Sequence, residues 1–170
     1  MNLAVDVYYK NRNACIAGVA FNAWTDAEPS AVFFSTLNGV AAYVPGKFFK
    51  RELPCILKLL KEHDLAPECI IVDGFVYLDG HKKAGLGKHL YDALGGRSAV
   101  IGVAKQPFKN GPGYCRINRG QSSKPLYITS KGFTIDAAKE HILSMHGEYR
   151  IPTLLKRADQ LCRTEEWCIR

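Results

Sequence analysis

No stretch of the sequence approaches the roughly 20 consecutive apolar residues that a helix needs to cross a bilayer, so no membrane span is expected. Met1-Asn2-Leu3 leads directly into an acidic, strand-like stretch, without the basic-then-apolar pattern of a secretory leader. The expected location is therefore the cytoplasm. The cysteines include no CxxC pair: Cys15, Cys55, Cys69, Cys115, Cys162 and Cys168 stand far apart, mostly among apolar neighbours. That spacing excludes a zinc site and a disulfide framework, and it predicts reduced, core or near-core thiols. Repeats, low-complexity tracts and linkers are missing too, which leaves a single domain over residues 1–170, long enough to bury a sizeable core. Monomer is the default oligomeric state.

Acidic residues are the scarcer charge. Lys plus Arg number 23 against 16 Asp plus Glu, a net charge of +7 in a chain of otherwise ordinary apolar content, 47%. The surplus is uneven. It gathers in Lys47-Phe48-Phe49-Lys50-Arg51, in His81-Lys82-Lys83, between Lys105 and Lys109, between Arg116 and Lys124, and between Arg150 and Arg163. Clustered positive charge of this size fits a polyanionic partner such as nucleic acid.

Apolar periodicity gives the order of elements. "LAVDVYY" (Leu3 to Tyr9) reads as a strand with Asp6 in its middle, "NRN" as a turn, "ACIAGVAFN" as the returning strand and "AVFFSTL" as a third, together a meander. Lys47 to His63 repeats apolar residues at helical spacing, with Pro54 predicting a kink or the start of its regular part. "ECIIVDG" and "SAVIGVAK" are short, nearly continuous apolar runs, as in buried parallel strands, and "GLGKHLYDAL" between them reads as a helix. Residues 109–124 read as a loop or irregular hairpin and "PLYITS" as a strand. "TIDAAKEHILSM" reads as a helix capped by Thr134, and "RIPTLLKRADQLCR" as a basic amphipathic helix running to the C terminus. The order βββαβαβ, with further elements behind it, predicts an α/β fold on a mixed sheet.

Three carboxylates stand out on that frame. Asp6 lies in the first strand, Glu52 in the first helix, and Asp73 at the carboxyl end of the first parallel strand, where α/β sheets gather ligands. A charge inside an apolar strand is costly unless paired or metal-bound. Converging carboxylates repel one another unless a hard divalent cation such as magnesium sits among them. An aspartate closing an apolar strand as a turn former, and a solvated Glu52, are the alternative readings of the same spacing.

"YVPG" followed by "RE.P", then "IIVDG", "GLGKHL" and "IGVAK" in that order resemble the endonuclease V family, over most of the chain from Asp6 to about Arg163. The resemblance implies a ribonuclease H-like mixed sheet flanked by helices. It also implies Mg2+-dependent hydrolysis, with Mn2+ as an alternative ion, at the second phosphodiester 3′ of deoxyinosine or inosine in DNA or RNA. Asp6, Glu52 and Asp73 fall on the family's metal-site carboxylates, and Lys105 on the lysine that faces the scissile phosphate. Tyr43, Val44 and Pro45 fall on a wedge that enters the base stack where the modified base is extruded, and Gly74 falls in the base pocket. Asp159 resembles a C-terminal position near the metals, with a helix-surface aspartate as its alternative. His89 lies on an apolar helix face and reads as a core or rim histidine before a ligand. The chain departs from the family at Phe75 to His81, where a second pocket glycine is missing and Asp79 adds a carboxylate. Two further readings accompany the nuclease: a non-catalytic nucleic-acid-binding protein on the same fold, and a nuclease for a different lesion.

Overall fold

The computed structural model describes residues 1–109 and 111–164. Strands β1 (Asn2–Lys10), β2 (Asn13–Phe21) and β3 (Ala31–Leu37) form the expected antiparallel meander. Helix α1 (Phe49–Glu62) then leads to β4 (Cys69–Asp73), helix α2 (Leu86–Ala93) and β5 (Ala99–Ala104). After a short 3-10 turn come β6 (Arg116–Ile117), β7 (Leu126–Lys131), α3 (Ile135–Ser144) and α4 (Thr153–Cys162). One seven-stranded sheet runs in the order β3-β2-β1-β4-β5-β7-β6. Its centre is parallel, β1 with β4 and β4 with β5, and its flanks are antiparallel, so the mixed sheet expected from the sequence is the sheet found.

Strand alternation divides the apolar residues between two faces. Leu3, Val5 and Val7 of β1 pack with Ile56 and Leu59 of α1 and Leu90 of α2. Ala4 of the same strand joins Ile71, Ile101, Val103 and Ile128 against Ala138 and Ile142 of α3 and Leu154 and Ala158 of α4. The central strands are covered on both sides, which is why β4 and β5 read as unbroken apolar runs.

Three local expectations change. Helix α1 is regular from Phe49 and carries Pro54 inside it. Exposure accounts for that tolerance: Pro54 faces solvent, where the carbonyl it leaves without an N–H partner can be hydrated. Helix α4 ends at Cys162, with Arg163 as its C-cap, and the last six residues lie outside the described part. Cys55, Cys69, Cys115 and Cys162 are buried free thiols, as expected, whereas Cys15 is disulfide-bonded, which corrects the expectation for that residue. Cys168 falls outside the described residues. Thr134 caps α3 as its sequence predicts, its hydroxyl accepting from Ala137 N at 3.2 Å.

Gly102 fixes how closely the loop after β4 approaches β5. A Cβ there would lie 2.6 Å from the Gly74 carbonyl oxygen and 2.9 Å from both Thr129 Oγ1 and Val76 N. Val76 N itself donates to Thr129 Oγ1 at 2.8 Å, so the clash falls on a hydrogen-bonded backbone with little room to yield. Gly102→Ala is expected to lower stability by about 2 kcal/mol or more, measured by urea unfolding. A change below ~0.5 kcal/mol would show that the Gly74–Val76 segment is free to move.

Candidate metal centre and nucleic-acid site

The parallel register places the central carboxylates side by side. Val5 pairs with Val72, so Asp6 follows one residue beyond on β1 and Asp73 one residue beyond on β4. Asp73 pairs in turn with Val103 of β5, two residues before Lys105. Lys105 Nζ lies 2.9 Å from Asp73 Oδ2, with the two side chains 42% and 41% exposed. An ion pair that open contributes at most about 1 kcal/mol to stability; its consequence is to hold an ammonium beside the carboxylates. Burial alone would lower the Lys105 pKa. The charge and hydrogen bond of Asp73, with the charges of Asp6 and Asp159, outweigh it and hold the group above the ordinary lysine range.

Helix α1 brings Glu52 in from the other face of the sheet. Glu52 is only 3% exposed. Tyr9 Oη donates to its Oε2 at 3.4 Å, and the Arg51 guanidinium stacks 3.6 Å above the Tyr9 ring. Burial first, then the charges of Asp6 and Asp73, push the Glu52 carboxyl well above its ordinary value, which Tyr9 and Arg51 only partly oppose. Asp6 responds the same way: burial and the charge of Asp73 raise it to about 7, although Val7 N donates to its Oδ1 at 2.8 Å.

Asp159 is also a member of this group. Among the described residues, donor atoms of Asp6, Asp159 and Cys162 lie within 4.8 Å of one another. Asp159 also bonds Arg163 Nε at 2.8 Å, one turn along α4. Cys162 is the misfit for a hard cation: burial raises its thiol, and its Sγ donates to the Asp159 carbonyl at 3.2 Å. The oxygen donors of Asp6, Asp73, Glu52 and Asp159 suit a small divalent ion, and the raised carboxyls mark the negative charge such an ion would offset.

The remaining sequence candidates lie on the segments between β3 and the end of α2. Tyr43, Val44 and Pro45 lie on an open loop, with Tyr43 58% exposed. Lys47 N donates to Val44 O at 3.0 Å, and Gly46 has φ +75°, the arrangement of a turn with Pro second and Gly third. Gly74 donates to Val103 O at 3.1 Å and faces Phe48 of the α1 side. His89 is stacked on Phe49 with ring centroids 3.8 Å apart, joining α2 to α1.

The loop that departs from the family pattern is built differently from what its residue types imply. Asp79 does not add a carboxylate to the centre. Its Oδ1 accepts from the backbone N–H groups of His81, Lys82 and Lys83 at 2.8–3.1 Å, which holds the carboxyl far below the usual carboxylate range. Phe75 meets Phe108 edge to face at 5.9 Å.

Sequence reasoning passed over Arg119, Tyr149 and Arg150. Arg119 is 6% exposed, and its guanidinium donates to the carbonyls of Met145, Gly147, Tyr149 and Arg150. It pins the segment before α4 to the sheet. Arg150 donates to the carbonyls of Lys105 and Pro125. A cavity of about 300 Å3 opens between α4 and the sheet, with Asp6, Asp73, Lys105 and Asp159 at one end. The signals for the two arginines in the sequence are the basic clusters between Arg116 and Lys124 and from Arg150 onward.

The architecture is that of the ribonuclease H-like α/β proteins, with a carboxylate cluster at the carboxyl ends of its central strands. A model of the endonuclease V family matches residues 2–121. Endonuclease V from Streptomyces avermitilis is 33% identical over 141 residues, covering 71% of this chain and 60% of that protein. Endonuclease V from Alkalilimnicola ehrlichii is 29% identical over 146 residues, covering 75% and 63%. The chain thus spans about 60% of the length of the curated relatives it matches. Among solved structures, the Streptomyces avermitilis enzyme superposes with a TM-score of 0.74 at 29% identity, covering 95% of this chain and 78% of that one. Human endonuclease V gives 0.76 at 22% identity, with 95% and 82% covered, a likeness that speaks to fold alone. The chain belongs to the endonuclease V family.

Charge repulsion at the centre has a measurable consequence. A carboxyl whose folded pKa exceeds its unfolded one binds more protons when folded. Asp6 therefore contributes stability below its ordinary value of 3.8, and that contribution is lost as pH rises through about 7. In EDTA, Asp6→Asn is expected to unfold at a higher temperature than the native protein at pH 8, with the difference shrinking towards pH 5. Thermal unfolding by circular dichroism checks this. Equal differences at both pH values would mean that Asp6 is not held against its charge.

Proposed function

We propose that the chain is a metal-dependent endonuclease that hydrolyses a phosphodiester 3′ to deoxyinosine or inosine, acting on nucleic acid as a single-domain, monomeric, cytoplasmic protein. The observation that carries this reading is the grouping at the end of the central strands of Asp6 with Asp159 by distance and of Asp6, Asp73 and Glu52 through their charges, with Lys105 bonded to Asp73. A protein that only bound nucleic acid would gain nothing from gathering carboxylates where a phosphate must pass. Two further observations support it. Among the described residues no helix is long and apolar enough to cross a membrane. Ciona intestinalis endonuclease V, which shares this fold with a TM-score of 0.79 at 18% identity, has been solved with a DNA 24mer containing an inosine followed by a ribo-adenosine.

Asp6 and Asp73, with Glu52 and Asp159 beside them, would hold Mg2+ or Mn2+. Such an ion supplies an activated water at neutral pH and charge stabilisation for the departing oxygen. The chain's own residues do the rest. Lys105, kept fully charged by its acidic neighbours, stands where it can neutralise charge developing on the phosphoryl oxygens. Glu52, oriented by Tyr9, would be a nearby carboxylate able to take a proton when ionised. Tyr43 and Pro45, exposed on a turn, can fill the stack that an extruded base leaves. The Phe75–Phe108 contact beside the pocket glycine favours one second reading, the same hydrolysis directed by a different base.

The test is cleavage of labelled single- and double-stranded DNA and RNA oligonucleotides, each with one inosine, in Mg2+ beside unmodified controls. A nick at the second phosphodiester 3′ of inosine is expected, abolished by Asp73→Ala and slowed about 10²–10³-fold in kcat by Lys105→Met. Cleavage without regard to inosine would keep the nuclease and discard the inosine specificity. Binding without cleavage would make this a nucleic-acid-binding protein on a nuclease fold.

A further inference from the structure

The cavity on the α4 side of the sheet shares Asp6, Asp73, Lys105 and Asp159 with the candidate metal centre, and its apolar part is needed neither to hold a cation nor to receive a base at Gly74. Gly74 and Phe48 belong to the α1 side, whereas the cavity walls are Ala4, Ile71, Val103, Ile151 and Leu155, on the opposite face. Its interior is mainly apolar, yet one end opens onto Asp6, Asp73, Lys105 and Asp159. At about 300 Å3 it sits at the small end of the range for small-molecule sites, ~300–1,000 Å3. Tyr149 stands at its edge, 68% exposed, while its backbone carbonyl is fixed by Arg119 at 2.7 Å. The ring is thus presented on an anchored backbone with its own surface left open.

A charged requirement accompanies the apolar one. Arg150, held by the carbonyls of Lys105 and Pro125, and Lys156 line the cavity together with Lys105, so its rim is basic. The fitting ligand has a small flat apolar body and an anionic end that stays at Lys105. A nucleotide has that form.

We propose that this cavity receives a nucleobase from a nucleotide adjoining the phosphate at Lys105, stacked on Tyr149. The strand would then be gripped on both faces of the sheet, with the Gly74 pocket on one side and the α4 cavity on the other. The proposal rests on the nuclease reading only in taking Lys105 as the phosphate contact.

The test uses methyl-labelled protein in Mg2+, titrated separately with 2′-deoxyadenosine 5′-monophosphate and with 2-deoxyribose 5-phosphate, which keeps the anion and lacks the base. The nucleotide is expected to move the methyl resonances of Ile71, Ile151 and Leu155 and to bind roughly tenfold more tightly than the sugar phosphate. Leu155→Phe, which fills the cavity, should erase that preference. Tyr149→Ala, at an exposed position, should weaken nucleotide binding several-fold and leave sugar-phosphate binding unchanged. Equal affinities, or nucleotide-dependent shifts confined to Leu78 and Leu86 on the other face, would overturn the proposal. The nuclease reading stands or falls separately on cleavage: cleavage without base-dependent shifts removes the cavity alone, whereas shifts without cleavage keep it as a nucleotide site.

Discussion

Mutual repulsion among carboxylates is the constraint on which this end of the molecule depends. Burial opposes ionisation of both Asp6 and Glu52; the charges of Asp73 and Asp159 add to it at Asp6, and those of Asp6 and Asp73 at Glu52. Lys105 is the ammonium bonded to the cluster among the described residues, and it pairs with Asp73. Lys105 at Asp6 and Arg51 at Glu52 oppose the upward shifts of these deeper carboxyls only in part. Such an arrangement detracts from stability in the metal-free protein, and its chemistry matches what a hard divalent ion requires.

The surrounding scaffold keeps the cluster from relaxing. Asp6 and Asp73 sit on adjacent parallel strands covered on both faces, so neither backbone can swing away. Gly102 lets the segment after Asp73 lie against β5 at a distance no side chain would permit. Glu52 is fixed through Tyr9, whose ring is in turn covered by Arg51, a short chain of contacts linking β1 to the first turn of α1. On the far side Arg119 gathers four carbonyls and sets the path into α4, which delivers Asp159.

Polar groups elsewhere are turned inward on their own loops. Asp79 looks, by residue type, like one more acid near the site, yet its carboxylate closes a turn by accepting three backbone N–H groups. The loop between β4 and α2 is therefore a preformed structure, joined to the neighbouring loop through Phe75 and Phe108. Its difference from the family pattern leaves the carboxylate centre untouched.

Local pattern alone determined the meander, the two buried parallel strands, the helices between and after them, and Thr134 as a cap. Each follows from apolar periodicity or from a side chain reaching its own backbone, and both act within a few residues. The ordered motifs marked Asp6 inside a strand, Glu52 in a helix, and Asp73 and Lys105 at strand ends, because such motifs can be read before the strands are paired. Tertiary structure decided what depends on distant partners. It joined Asp159 to Asp6 across more than a hundred residues of chain. It also turned Asp79 away, set His89 on Phe49 and opened the cavity under Tyr149. A carboxylate reads the same in sequence whether it meets a cation, a backbone amide or water, and only the fold selects which of these lies within bonding distance.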